Sequence, residues 1–196
     1  MYLFIDCETT GLPRSWRAPA TDVENWPRAV QVAWAEFDRV GRHVVTKCFL
    51  LKPEGFTIPR DAQRVHGIST AQAIRFGKPA AEVLKGLGEA ATRAKILVAH
   101  NQKFDEAVIT AEFLRLDLEP PFMGMRRVCT MQEATEFCGL PGPYGYKWPT
   151  LEELHCILFG EKPTQSHDAK ADVEACARCF FELKRRRVLQ IARNSA

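Results

Sequence analysis

The sequence predicts a single α/β layered domain, and three observations carry that reading. A short apolar run, Tyr2 to Ile5, has the character of a buried strand and passes directly into Asp6-Cys7-Glu8. Two further strand-like runs follow it, and beyond them short apolar strands alternate with helical periodicities, which is the order of a layered sheet-and-helix domain. The 196 residues, 46% hydrophobic and 26% charged, suffice for one substantial core and contain no repeat or low-complexity tract. Residues 1–196 thus read as one domain.

Val30 to Phe37 and Val44 to Leu51 are the second and third strands, joined by a turn around Asp38 to Gly41, so the chain opens as a three-stranded meander. Residues 12–29, with three prolines, two tryptophans and several charges, form an irregular excursion between the first two strands. After a loop with Pro53, Gly55 and Pro59, Ser69 and Gln72 have the spacing of a capping box, and Pro79 with Glu82 marks another helix start.

Ile96 to Ala99 is the next buried strand. Asn101 is placed to cap a helix reaching about Leu116, because Phe104, Ala107, Val108, Ala111 and Leu114 recur at helical spacing. Val128 to Thr130 reads as a last short strand, and Thr130 with Glu133 and Thr150 with Glu153 repeat the capping-box signal. Pro141 to Pro149 and Glu161 to Ser166 are loops. Asp168 is the N-cap of a terminal helix whose Val173, Cys176, Ala177, Phe180 and Leu183 make an apolar face.

Composition narrows the function classes. No basic segment leads into a long apolar stretch near the N-terminus, and Asp6 interrupts the first strand, so a cytoplasmic protein without a membrane span is expected. Seven scattered cysteines argue against a disulfide framework, and Cys176 and Cys179 have C-x-x-C spacing without the partners that a structural zinc requires. The formal charge of +3 counts every acid; neutralising several by bound cations would leave a larger surplus suited to a phosphate backbone. The Lys184 to Arg187 run belongs either to such a surface or to the solvated end of a helix, where cations are favoured.

Three short fragments carry chemistry. Asp6 and Glu8 stand two apart, so on a strand their carboxylates share one side of the sheet. Their mutual repulsion is relieved by a divalent cation, or by water and the following turn if the strand end is exposed. Asp105 enters the first turn of a helix after His100-Asn101, where the helix dipole alone favours a carboxylate. His167 precedes the terminal helix by one residue and Asp172 lies one turn inside it, so the Asp168 cap explains neither.

Together the fragments Asp6-x-Glu8-Thr9-Thr10-Gly11, His100-Asn101-x-x-Phe104-Asp105 and His167-x-Ala169-x-x-Asp172 resemble, in residue type and order, the three exonuclease motifs of the DEDDh family. That ribonuclease H-like group includes the proofreading ε subunit of bacterial DNA polymerase III. Further similarity lies in His66-Gly67-Ile68-Ser69, Cys129-Thr130 and Lys147 to Leu151, and the resemblance spans residues 1 to about 185. It implies a five-stranded mixed sheet flanked by helices, with the first strand central.

The resemblance also implies two divalent cations, Mg²⁺ or Mn²⁺, held by Asp6, Glu8, Asp105 and Asp172. On it, Asp6 bridges the ions, Glu8 and Asp172 sit on the nucleophile side, and Asp105 supports the other ion. His167 is the general base, being able to titrate near neutrality, and Thr9, Thr10, Gly11 and Leu12 approach the terminal nucleotide. Trp16, Arg14 and Arg17 form either an aromatic and cationic wall for a single strand or a local lid over the sheet.

The function that follows is 3′-to-5′ exonucleolytic hydrolysis of DNA, releasing nucleoside 5′-monophosphates from single-stranded 3′ ends. The competing readings are an exoribonuclease or oligoribonuclease on the same fold, and a nucleic-acid-binding or polymerase- or repair-associated module that acts only with a partner.

Overall fold

In a computed structural model of the chain, residues 1–163 and 167–189 are described. Five strands form one mixed sheet: β1 Tyr2–Thr9, β2 Ala29–Phe37, β3 His43–Leu50, β4 Ile96–Ala99 and β5 Arg126–Cys129, in the order β3-β2-β1-β4-β5. The meander β1-β2-β3 is antiparallel, while β4 runs parallel to β1 and β5 parallel to β4. β1 is therefore central, as expected.

Period-two alternation in β1 divides the core between the two sheet faces. Leu3, Ile5 and Cys7 face one side, where α3 (Ala80–Arg93) supplies Val83, Leu84 and Leu87, and α4 (Gln102–Arg115) supplies Val108 and Ile109. Tyr2 and Phe4 face the other side against Val173, Cys176, Ala177, Phe180 and Leu183 of α8 (Ala169–Arg185), with Leu154 and Leu158 of α7 (Leu151–Phe159) behind. Phe180 meets the rings of Phe4 and Tyr2 edge-on at 5.2 and 5.3 Å. Asp6 and Glu8 continue the Tyr2-Phe4 row, so the α8 side of the sheet is apolar at one end and acidic at the other.

Three of the expected local caps are realised. Ser69 and Gln72 form both arms of a capping box on α2 (Thr70–Phe76), Thr150 and Glu153 do so on α7, and Asp168 accepts from the Ala171 N–H of α8. Two expected caps are absent. Asn101 takes a left-handed conformation (φ 69°) to turn the chain from β4 into α4, and its side chain makes no cap. Thr130 is itself the first residue of α5 (Thr130–Glu133), a single turn followed by α6 (Thr135–Cys138), and its hydroxyl donates to Ala99 O at 3.3 Å.

Several elements are additional to those expected, α6 among them. α1 (Arg60–His66) runs from Pro59 to a left-handed Gly67, and it buries only Ala62, so it leaves no apolar period in the sequence. Within the 141–149 loop, β6 (Pro141–Gly142) and β7 (Gly145–Tyr146) pair as a short hairpin. The loop expected at 161–166 falls partly outside the described residues. The basic run is bound locally: Arg185 and Arg186 pair with Glu182, and Lys184 Nζ donates to the Tyr2 hydroxyl at 2.7 Å. Lys184 and Arg185 stand in the last turn of α8, where cations are favoured.

The 12–29 excursion is tied down at both ends. The Asn25 side chain accepts from Ser15 N at 2.7 Å and donates to Ser15 O at 3.0 Å, and Trp26 Nε1 donates to Pro19 O at 3.0 Å. At its base the buried Glu112 of α4 accepts from Arg28, Arg115 and the Ala29 N–H, while Arg115 also donates to Val23 O and Trp26 O.

Candidate active site

The parallel pairing of β4 with β1 ends at the Phe4–Val98 register, whereas the β2 pairing continues past it. The edge of β1 beyond Val98 is therefore open toward α4, and Asp105 fills it. Asp105 Oδ1 accepts from the Cys7 backbone N–H at 3.0 Å and from the Cys7 thiol at 3.3 Å. Asp105 stands in the first turn of α4 as expected, and one of its carboxylate oxygens, Oδ1, is engaged by the central strand.

On the other edge of β1, Glu8 is in register with Gln31 of β2. The buried Gln31 side chain accepts from Ala169 N at 2.9 Å, and its amide donates to Asp168 Oδ2 at 3.3 Å. The start of α8 is thus fastened beside Glu8. His167, left-handed at φ 65°, turns its backbone N–H onto Asp172 Oδ2 at 2.9 Å. The outcome is a cluster in which ligand atoms of Glu8, His167 and Asp172 all lie within 4.8 Å of one another.

A cleft of about 640 Å³ opens over this cluster, lined by Asp6, Glu8, Asp105, His167 and Asp172, with Phe104 and the first turn of α7 among its walls. The four expected acids and the histidine meet in it. Burial, and then repulsion from Asp105, Asp172 and Glu8, pushes the Asp6 carboxyl well above its ordinary range. Burial with repulsion from Asp172 raises Glu8 to about 7. Asp105 is also raised to about 7 by burial, despite the Cys7 hydrogen bonds that pull the other way. Asp172 is raised by burial, against the His167 N–H that favours its charge.

Among the described residues none of these four acids is ion-paired with a lysine or arginine. Four oxygen donors crowded into one cleft without a cationic side chain fit hard divalent cations, which would relieve both repulsion and desolvation.

Thr9 to Leu12 follow Glu8 directly in the chain and stand outside the lining of the cleft itself. The Thr9 hydroxyl donates to Gly11 O at 2.6 Å, and Thr10 Oγ1 accepts from Arg28 N at 3.0 Å. Gly11 has φ 147°, and nothing lies within 4 Å of where a Cβ would stand. Leu12 is 73% exposed, which rules out core packing as its role. His100 is held structurally: its Nδ1 meets Thr130 Oγ1 and its Nε2 meets Pro149 O, each at 3.0 Å, and burial lowers its pKa to about 4. An imidazole so committed ties the end of β4 to the entry of α7. Gln31 and Cys7 are the supporting residues that sequence reasoning missed; an apolar strand with one interior glutamine was the available signal for the first.

Strand order and core define an α/β domain of ribonuclease H-like fold, and comparisons with known proteins add the family. A family model described as Exonuclease (RNase T) matches residues 3–180, so the chain belongs to that exonuclease family. Among solved structures, E. coli Exonuclease I in complex with a dA16 oligonucleotide is similar at 23% identity and a TM-score of 0.75, covering 95% of this chain and 42% of that one. The zinc-bound form of the E. coli Exonuclease I–single-stranded DNA complex is similar at 24% identity and a TM-score of 0.74, covering 95% and 41% respectively. This chain therefore spans less than half the length of those neighbours, and the likeness shows a shared fold. No curated protein matches. Among the described residues, no helix is long and apolar enough to cross a membrane.

Proposed function

We propose that this protein is a 3′-to-5′ exonuclease that removes nucleoside 5′-monophosphates from single-stranded DNA ends. The observation that carries the reading is the convergence of Asp6, Glu8, Asp105, Asp172 and His167, drawn from β1, α4 and the start of α8, on one open cleft. Family membership supplies the reaction class, hydrolysis of nucleic-acid phosphodiesters, and the acids supply sites for divalent cations.

On this reading Asp6, Glu8, Asp105 and Asp172 hold two Mg²⁺ or Mn²⁺ ions. Such ions supply charge stabilisation for the attacking and leaving oxygens of an in-line displacement. Carboxylates committed to cations are poor proton acceptors, so the proton of the attacking water goes to His167, whose side chain stands beside Glu8 and Asp172. Thr9 to Leu12 form the rim that receives the terminal nucleotide: Gly11 leaves room for close approach of the backbone, and the exposed Leu12 offers an apolar surface to the last base.

Purified protein incubated with 5′-labelled and 3′-labelled DNA and RNA oligomers, with Mn²⁺ or EDTA, tests every part at once. The expected result is a descending ladder from 5′-labelled DNA and immediate release of labelled mononucleotide from the 3′ end, both abolished by EDTA. Release of mononucleotide from the 5′ end would overturn the polarity, faster decay of RNA the sugar preference, and undiminished activity in EDTA the role of the acids.

A further inference from the structure

The 12–29 excursion is absorbed by neither the sheet nor the acid cluster, yet it is anchored to a wall of the cleft. Phe104 of α4 lines the cleft beside Asp105. The ring of Trp16 lies 5.7 Å from the Phe104 ring at 45°, and Trp26 supports Phe104 from behind at 6.5 Å. Lys103 Nζ donates to Trp16 O at 3.3 Å, fastening the excursion to the neighbouring residue of α4. Trp16 nevertheless remains 45% exposed. The half-exposed ring thus sits on a segment held by contacts of the chain's own Asn25, Trp26 and the Glu112 ion cluster.

The charges around it point to the ligand. Arg14 and Arg17 flank Trp16 and are exposed, and among the described residues neither guanidinium has an acidic partner. Among the described residues several other arginines are ion-paired instead: Arg28 and Arg115 with Glu112, Arg93 with Glu36, Arg127 with Glu106, Arg178 with Glu161. An exposed indole with exposed arginines at 14 and 17 on the same short segment, stacked on Phe104 of the cleft wall, has the composition of a single-strand subsite: a stacking face for a base and cations for the flanking phosphates.

We propose that the excursion is an extension of the cleft that holds single-stranded DNA upstream of the terminal nucleotide, with Trp16 stacking a base and Arg14 and Arg17 contacting phosphates. The excursion is then a strand guide, not a lid. The inference rests on the exonuclease reading, because it is that reading which puts a single strand in the cleft. It adds a length dependence: a strand long enough to reach Trp16 binds more tightly than one that fills only the acid-lined end.

The test measures dissociation constants of 5′-labelled thymidine trimers and dodecamers with Ca²⁺ replacing the activating cation. Wild type is expected to prefer the dodecamer, Trp16→Ala to reduce the dodecamer-to-trimer affinity ratio at least tenfold, and Trp16→Phe to recover most of it. The Arg14→Ala/Arg17→Ala double variant is expected to lower the slope of log affinity against log salt by about 1.4, two phosphate contacts at the single-strand value. A ratio that Trp16→Ala leaves unchanged overturns the subsite, and so does equal weakening at both lengths, which marks a merely structural tryptophan. Labelled DNA left intact by wild type in Mn²⁺ would instead sink the exonuclease reading, so the two failures are distinct.

Discussion

The backbone N–H of His167 donates to Asp172 Oδ2 at 2.9 Å, so the residue proposed as base is positioned by the acid through its main chain while its imidazole stays uncommitted to that bond. The left-handed φ of 65° that permits this is tolerated by asparagine far better than by most residues. His167→Asn is therefore expected to keep the turn and lose only the proton acceptor. Turnover should fall about 100-fold or more, the usual contribution of a general base, with little change in substrate affinity or thermal midpoint. Single-turnover rates equal to wild type would remove His167 from the chemistry.

The acids make a prediction about the metal-free protein. Glu8 and Asp105, each at about 7 when folded, hold their protons long after an unfolded chain would have released them near ordinary carboxylate values. Between those limits the native state binds more protons than the unfolded state, so stability falls as pH rises and the loss is complete above about 7. In EDTA the thermal midpoint should be lower at pH 8 than at pH 5.5. Glu8→Gln or Asp105→Asn should raise the pH 8 midpoint by about 3 °C, as relief of roughly 1 kcal/mol would. Adding Mn²⁺ should stabilise wild type at pH 8 and do so less in either variant. A midpoint in EDTA independent of pH would contradict the buried-acid account.

How much of this site was legible in the sequence depended on the range of each interaction. The β1 acids, the Ser69, Thr150 and Asp168 caps, and the apolar face of α8 are all set within a few residues, and each stands as the sequence suggests. Asn101 and Thr130 depart from the expected caps for different reasons: Asn101 takes a left-handed backbone that turns β4 into α4, and the Thr130 hydroxyl serves tertiary contacts with Ala99 and His100. Gln31 meets Ala169 across 138 residues and Cys7 meets Asp105 across 98, and no local pattern encodes such pairs. The exonuclease motifs were readable because a family resemblance supplied the convergence that spacing alone does not.

Gln31 makes the α8 start answerable to the sheet. Its side chain satisfies Ala169 N and Asp168 at a buried position, and that helix start delivers both His167 and Asp172. Gln31→Leu leaves a buried N–H unpaired, at a cost of about 1–3 kcal/mol, and frees the helix terminus to shift. Thermal stability should drop by about 5 °C, and turnover at saturating Mn²⁺ should fall more than DNA affinity does. Gln31→Glu keeps the acceptor for Ala169 N but adds an acid beside Glu8 and Asp168, so its defect should deepen as pH rises. Identical pH profiles for the two variants would show that Gln31 only fills space.

Cys7 is the remaining lever, because its thiol acts on one acid and leaves the strand intact. In Cys7→Ala the backbone N–H of residue 7 can still donate to Asp105, and only the thiol bond is lost. That bond favours the charged carboxylate, so without it the Asp105 pKa moves above about 7 and a larger fraction is protonated near neutrality. A protonated Asp105 competes poorly for cations. The Mn²⁺ concentration for half-maximal activity should therefore rise about threefold at pH 7 in Cys7→Ala and converge on wild type by pH 8.5. Cys7→Ser, which restores a donor to Asp105, should titrate like wild type. If Cys7→Ala and wild type require the same Mn²⁺ at both pH values, the thiol does not tune Asp105 and the residue is simply part of the apolar face under β1.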